Sequence, residues 1–178
     1  MDHDDHVRLI REGVGDAGTT WADLGSGRGA FTLALADLLG PGSTIFSVDR
    51  DAAALQDQAH AMAGRFPEVT LHQLVADFEE DLALPTLDGV MMANSLHFVE
   101  DKLPVLRRIG ERLTPGGRFI LIEYDADHGN RWVPYPVSAR RWELLAGDAG
   151  LADTRVIGRV PSRFLGSIYA ALSRRQAP

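Results

Sequence analysis

The side chains with chemical potential are mostly carboxylates, and they recur where runs of β-forming residues stop. Asp23 follows Thr20-Trp21-Ala22, Asp49 closes Ser43 to Val48, Asp77 follows Val69 to Val75, and Glu123-Tyr124 ends the run from Arg118. Asn94-Ser95 follows the apolar run Leu87 to Ala93. Directly after the first of these runs comes Gly25-Ser26-Gly27-Arg28-Gly29-Ala30. Glycines in such a turn let backbone approach a ligand closely. Carboxylates beside it accept hydrogen bonds from ammonium, hydroxyl and amine groups, and they repel phosphate.

Two chemistries compete for that turn. Gly25-x-Gly27-x-x-Ala30 satisfies the dinucleotide fingerprint, and Asp49 is an acid about twenty residues further on. This alone points to a nicotinamide- or flavin-dependent oxidoreductase. Asp23, two residues before Gly25, argues the other way, because it would repel a pyrophosphate and attract a cationic amino-acid end. Asp49 is placed to accept ribose hydroxyls, with Arg50 beside it. Asp77 is placed to accept from an exocyclic amine, and Phe78 to stack on a purine. Ammonium, sulfonium, ribose and adenine together outline S-adenosylmethionine.

These residues share a site only if strands deliver them to one edge. Thr20 to Leu24 is expected as a strand, followed by a helix from Ala30 to Leu39 that ends at Gly40-Pro41-Gly42. Ser43 to Val48 is a second strand. Asp51 can cap the next helix, Ala52 to about Arg65, which Pro67 closes. Val69 to Val75 is a third strand, and the near-continuous apolar run Leu87 to Ala93 suits a parallel strand covered on both faces. Val99 to Leu113 carries Val99, Leu103, Leu106, Ile109 and Leu113 on one helical stripe, stopped by Thr114-Pro115-Gly116-Gly117. Arg118 to Tyr124 is another strand, Asp125 to Pro136 is irregular, and Val137 to Ala149 is a helix. Arg155 to Val160 and Phe164 to Leu172 lie too close together for a helix between them and read as an antiparallel pair. Such alternation predicts an open α/β sheet with helices on both faces and a ligand beyond the carboxyl ends of the strands.

At these positions the chain resembles the class I S-adenosylmethionine-dependent methyltransferases, and more narrowly the "type 11" group similar to ubiquinone/menaquinone methyltransferases. The resemblance is carried by Ala22-Asp23-Leu24-Gly25-Ser26-Gly27-Arg28-Gly29, Val48-Asp49, Ala76-Asp77-Phe78, Ala93-Asn94-Ser95-Leu96-His97-Phe98-Val99 and Leu113-Thr114-Pro115-Gly116-Gly117-Arg118. It implies a Rossmann-like three-layer α/β/α sandwich whose seven strands lie in the order 3-2-1-4-5-7-6, the last antiparallel. It implies S-adenosylmethionine held by Asp23, Gly25, Ser26, Gly27, Asp49, Arg50, Asp77, Phe78 and Asn94, with S-adenosylhomocysteine as product. It also implies that His97 packs at the start of the following helix. Ser95-Leu96-His97 departs from the Pro-Pro-aromatic sequence of nucleobase-amine methyltransferases.

Composition narrows the remaining choices. The 178 residues include 25 acids and 18 bases for a net charge of −7, 45% apolar residues and no cysteine. One domain spanning 1–178 is expected, with a short helical extension over 1–19 ahead of a core over 20–173. Absence of cysteine removes disulfides, thiolate metal sites and a cysteine nucleophile, and the histidines lack metal-ligand spacing. No metal is therefore expected. No stretch has the apolar length of a membrane span, and the acidic start lacks a signal-peptide pattern, so a cytoplasmic location is expected. The acidic balance argues against nucleic acid as partner.

A small-molecule acceptor is expected to attack the sulfonium methyl in line, with alignment as the protein's main contribution. No base is identified by the residues; Glu123, His97, Tyr124 and His128 are candidates by position. His97, Trp132 and Tyr135 are the candidates for the acceptor pocket. So sparse a covering leaves room for a homodimer to complete it. An NAD(P)-dependent oxidoreductase and a non-catalytic S-adenosylmethionine-binding module remain open alternatives.

Overall fold

The computed structural model describes residues 1–176. Thirteen elements follow one another: α1 (His3–Val14), β1 (Thr20–Leu24), α2 (Ala30–Leu39), β2 (Thr44–Asp49), α3 (Ala52–Arg65), β3 (Thr70–Val75), β4 (Leu87–Ala93), a 3₁₀ turn (Leu96–Phe98), α4 (Lys102–Arg112), β5 (Leu113–Tyr124), α5 (Ala139–Asp148), β6 (Leu151–Pro161) and β7 (Ser167–Arg175). The seven strands form one sheet in the order β3-β2-β1-β4-β5-β7-β6. The first five pair in parallel, and β7 runs antiparallel to both β5 and β6.

Each sheet face buries one apolar cluster. One face packs Leu106, Ile109, Trp142 and Phe119 between the sheet and α4 and α5. The other packs Ile10, Leu35, Met62 and Ile120 beneath α1, α2 and α3. Strands covered on both faces have no reason to alternate, and β4 is buried at Leu87, Gly89, Val90, Met91 and Met92. Gly89 is required there, since a Cβ would overlap the Trp21 ring.

The expected elements form, with shifts at four boundaries. The helix read from Val99 begins at Lys102, because Leu96–Phe98 coils as a 3₁₀ turn and Val99 closes it with an N–H bond to Leu96 O of 3.1 Å. The stop at Thr114-Pro115-Gly116-Gly117 is a bulge inside β5: the partner of Leu87 is Leu113, and the partner of Gly89 is already Arg118. Helix α5 begins at Ala139, capped by the Ser138 hydroxyl. Strand β6 is longer than the expected Arg155 to Val160, and β7 keeps the expected length but sits three residues later, because backbone pairing runs from Leu151 to Pro161 against Ser167 to Arg175. Phe164, placed in a strand from sequence, lies in the intervening turn and is 72% exposed.

Candidate functional site

The turn between β1 and α2 is tied to its neighbours by backbone. The N–H groups of Gly25 and Ser26 donate to Val48 O at 2.8 and 3.1 Å, and Gly29 starts α2 at φ 83°. Gly25 has φ 74°, and a Cβ there would overlap Ser95. Ser95 in turn donates to Leu24 O at 2.7 Å, which fixes the end of β4 against the end of β1. Asp49 holds the loop from below: its Oδ2 accepts from Gly27 N–H at 2.7 Å and its Oδ1 from Asp51 N–H at 2.9 Å.

Beneath the loop runs a buried polar chain with one consistent direction. Ser47 donates to Gln58 Oε1 at 2.6 Å, so Ser26 supplies the proton in the 2.7 Å contact between the two serine hydroxyls. Gln58 Nε2 donates to Thr32 Oγ1 at 2.7 Å, and Thr32 donates to Asp23 Oδ2 at 2.6 Å. Thr32, Ser47 and Gln58 are fully buried. The chain ends on Asp23, whose other oxygen, Oδ1, is buried without any partner. Burial pushes the Asp23 carboxyl up to about 7; the Thr32 hydrogen bond opposes this shift and the Asp49 charge adds to it.

Asn94 carries the second orphan. It has φ 52°, which asparagine tolerates better than most side chains, and its Oδ1 is buried and unpartnered. Asp23, Asn94 and Asp49 line one cleft of about 430 Å³ with Gly25, Ser26, Gly27 and Arg28. His6, Phe31 and Phe98 also line it. This volume suits a small ligand. Two buried carbonyl-type oxygens without donors call for a cationic or N–H-rich group, and the amino-acid end of S-adenosylmethionine is one. A pyrophosphate brings no donor for either oxygen.

The remaining candidates are distributed differently. Arg50 and Asp77 form an exposed ion pair at 3.2 Å, and Asp77 Oδ1 accepts from Glu79 N–H at 2.9 Å. Phe78 packs under Gly25 against the core and faces a separate hollow of about 20 Å³ with Leu82 and Leu84, room for little more than one water. Neither Asp77 nor Phe78 lines the main cleft. Glu123 is fully buried and spends its oxygens on His97 N–H, His97 Nδ1 and Tyr124 N–H at 2.9 to 3.1 Å. His97 is thereby locked behind the cleft wall, with its backbone O accepting from Tyr135 N–H at 3.0 Å. Burial and the adjacent Glu123 raise the Tyr124 hydroxyl above its ordinary value, and its ring packs edge-on against His97. His128 is exposed. The 125–136 segment does not overhang the cleft: Trp132 is 69% exposed beside Arg131, and Tyr135 lies over Lys102 on α4. An Asn130 turn, accepting from the N–H groups of Trp132 and Val133, folds that segment back on itself.

Reading the sequence misses Thr32, Ser47, Gln58, His6, Phe31 and Phe98. One signal was available. Gln58 stands between Leu55 and Met62 at helical spacing, a polar side chain on the buried stripe of α3.

A parallel sheet in this order, with an acid-lined crevice where β1 and β4 diverge, defines a Rossmann-like class I S-adenosylmethionine-dependent methyltransferase. The chain belongs to that class by family as well: a family model described as a methyltransferase domain matches residues 22–119, more than half its length. Among curated proteins it is similar to the ribosomal RNA small subunit methyltransferase H of Acidobacterium capsulatum, 37% identical over 94 residues. That match takes in 47% of this chain and 32% of the relative, so the chain matches about a third of the relative's length. Among solved structures it resembles the YcgJ protein of Bacillus subtilis (TM-score 0.76, 13% identity, 99% of this chain and 100% of that one). It also resembles a SAM-dependent methyltransferase of Aquifex aeolicus (TM-score 0.72, 20% identity, 96% and 89%). A third is the magnesium protoporphyrin IX methyltransferase of Synechocystis PCC 6803 with bound SAM (TM-score 0.73, 17% identity, 98% and 78%). At these identities the likeness is one of fold. Among the described residues no helix is long and apolar enough to cross a membrane, and no acid or histidine cluster suits a metal.

Proposed function

We propose that this methyltransferase modifies a small organic acceptor, seated between the glycine loop and the Phe31–Phe98 wall, and that residues 1–176 act as one catalytic unit. The pair of unpartnered oxygens, Asp23 Oδ1 and Asn94 Oδ1, in one cleft carries the reading. S-adenosylmethionine, when bound, supplies an electrophilic methyl on a positive sulfur. Asp23 accepts from the ammonium at its amino-acid end, and Asn94 accepts beside it. Gly25, Ser26 and Gly27 present close backbone. Asp49 accepts ribose hydroxyls with the lone pairs that Gly27 and Asp51 leave free. Asp77, Arg50 and Phe78, expected from sequence to hold the cofactor, lie outside this cleft, and the reading does not rest on them. The protein's contribution to rate is alignment, since the methyl donor is intrinsically reactive.

A small acceptor is favoured over ribosomal RNA, the acceptor in the Acidobacterium relative's name. A net charge of −7 disfavours the phosphate neutralisation on which RNA affinity depends. The test is to incubate a cell extract with the protein and methyl-labelled S-adenosylmethionine, then separate small molecules from RNA. Label in the small-molecule fraction is expected, and label confined to RNA overturns the reading. Calorimetry supplies the cofactor test: S-adenosylhomocysteine binds and NAD does not.

A further inference from the structure

The cleft lining also holds a histidine that the cofactor does not explain. His6 lies on the second turn of α1 and lines the cleft with Phe31, Phe98 and Asn94. Its ring packs edge-on against Phe31, centroids 4.5 Å apart, and neither ring nitrogen is hydrogen-bonded among the described residues. Three other histidines are hydrogen-bonded elsewhere, His3 to Asp37 at 3.0 Å, His60 to Gln56 O at 3.2 Å and His97 to Glu123 at 2.9 Å, and His6 is the histidine that lines the cleft. The position of His6 is built, not incidental. Val7, Leu9, Ile10 and Val14 of α1 are buried in the core. Arg118 of β5 donates to Gly13 O and Val14 O at 3.0 and 2.8 Å and pairs with Asp16 at 2.6 Å, so both ends of the contact are fixed. Helix α1 thereby carries an imidazole across the sheet to the edge where β1 and β4 end.

We propose that His6 is the acceptor-side general base: its free ring nitrogen takes the proton from a small acceptor bearing an O–H group as the oxygen attacks the methyl. This rests on the small-acceptor reading above. In that step the methyl–sulfur bond breaks, with its electron pair left on sulfur, and a carbon–oxygen bond forms. The acceptor proton passes to the imidazole and then to water. A neutral imidazole is needed at the start. Burial holds His6 below the ordinary histidine value; the Met1 amino group and His3 push the same way, while Asp5 and Asp2 oppose them. Charges facing it from other elements are Asp37 on α2, held by His3, and Asp23, Arg28 and Asp49 across the cleft. The apolar Phe31 and Phe98 that line the same cleft favour an aromatic acceptor, a phenol being the simplest fit.

The sulfonium gives a direct test, because S-adenosylmethionine carries a positive sulfur and S-adenosylhomocysteine a neutral one. Histidine titrations would be followed by NMR in the two complexes, with His6→Gln to assign the resonance. If His6 faces the reacting methyl, its pKa falls by about half a unit or more in the S-adenosylmethionine complex relative to the other. His60, exposed on α3 and not among the charges acting on His6, stays unchanged. An equal His6 pKa in both complexes, or a His6 that is protonated at neutral pH with S-adenosylmethionine bound, overturns the assignment. Calorimetry on the same samples separates the two failures. Heat of binding without the pKa difference removes only His6, whereas no heat removes the cofactor reading as well.

Discussion

The Thr32 hydroxyl donates to one oxygen of Asp23 at 2.6 Å and leaves the other, fully buried, with nothing. That half-satisfied carboxylate links helix α2 to strand β1, and through Gln58 and Ser47 it links both to the glycine loop. A buried polar group missing a partner costs stability, and such groups persist where a ligand completes them. Site chemistry and site stability are therefore coupled here.

The first consequence is a pH dependence. Asp23 titrates at about 7 in the folded protein against 3.8 as its ordinary value. The folded state thus binds more protons than the unfolded one between those values. The stability this group contributes is fully present below about pH 4 and is lost as pH rises through about 7. A ligand ammonium needs the ionised form. S-adenosylhomocysteine affinity should rise up to about tenfold per pH unit below about pH 7 and level off above it. Calorimetry across about pH 5.5 to 8.5 would show this, and Asp23→Asn should bind weakly with no such slope. A flat profile in the unsubstituted protein would contradict it.

Gln58→Leu removes the centre of the buried chain. Thr32 loses a donor and Ser47 loses its acceptor, as does Gln73, whose Nε2 donates to Gln58 at 3.0 Å. Urea unfolding should show a loss on the order of 3 kcal/mol. Cofactor affinity should fall as well, since Ser26 and Asp23 lie at the two ends of the chain. Full stability in the variant would mean that the chain is not a unit.

Gly29→Ala places a Cβ on the Gln58 side chain at a backbone φ of 83°. Both effects destabilise, and the loss in unfolding free energy should exceed about 1 kcal/mol. A double-mutant cycle separates overlap from strain: Gly29→Ala should cost less in a Gln58→Ala background, where the clashing side chain is gone, and an equal cost in both backgrounds would remove the overlap argument.

Glu123→Gln tests whether the His97–Glu123 pair is structural. The variant keeps an acceptor but gives up the charge received by two backbone N–H groups and His97 Nδ1. Unfolding free energy should drop by about 2 kcal/mol while S-adenosylhomocysteine affinity stays within about twofold. Lost cofactor affinity at full stability would place Glu123 in the site instead.

Periodicity and strand-end chemistry were enough to determine an open α/β sheet and the crevice at its carboxyl edge, because parallel strands and amphipathic helices are local patterns with few topological solutions, while the strand order followed from the resemblance to class I methyltransferases. The carboxylates after β1 and β2 were legible for the same reason: an acid ending a strand can only emerge at that edge. Orientation after the strand end was not. Asp77 turns to Arg50, Phe78 packs beneath Gly25 and Tyr135 lies over Lys102, each settled by a partner distant in sequence, while Trp132 folds away on an Asn130 turn. Tertiary structure alone decided that His6, from the far end of the chain, lines the same cleft as Asn94, and that Gln58 joins Ser47 to Thr32. Side-chain contacts of that kind depend on how helices lie across a sheet, and no spacing within a single element encodes them.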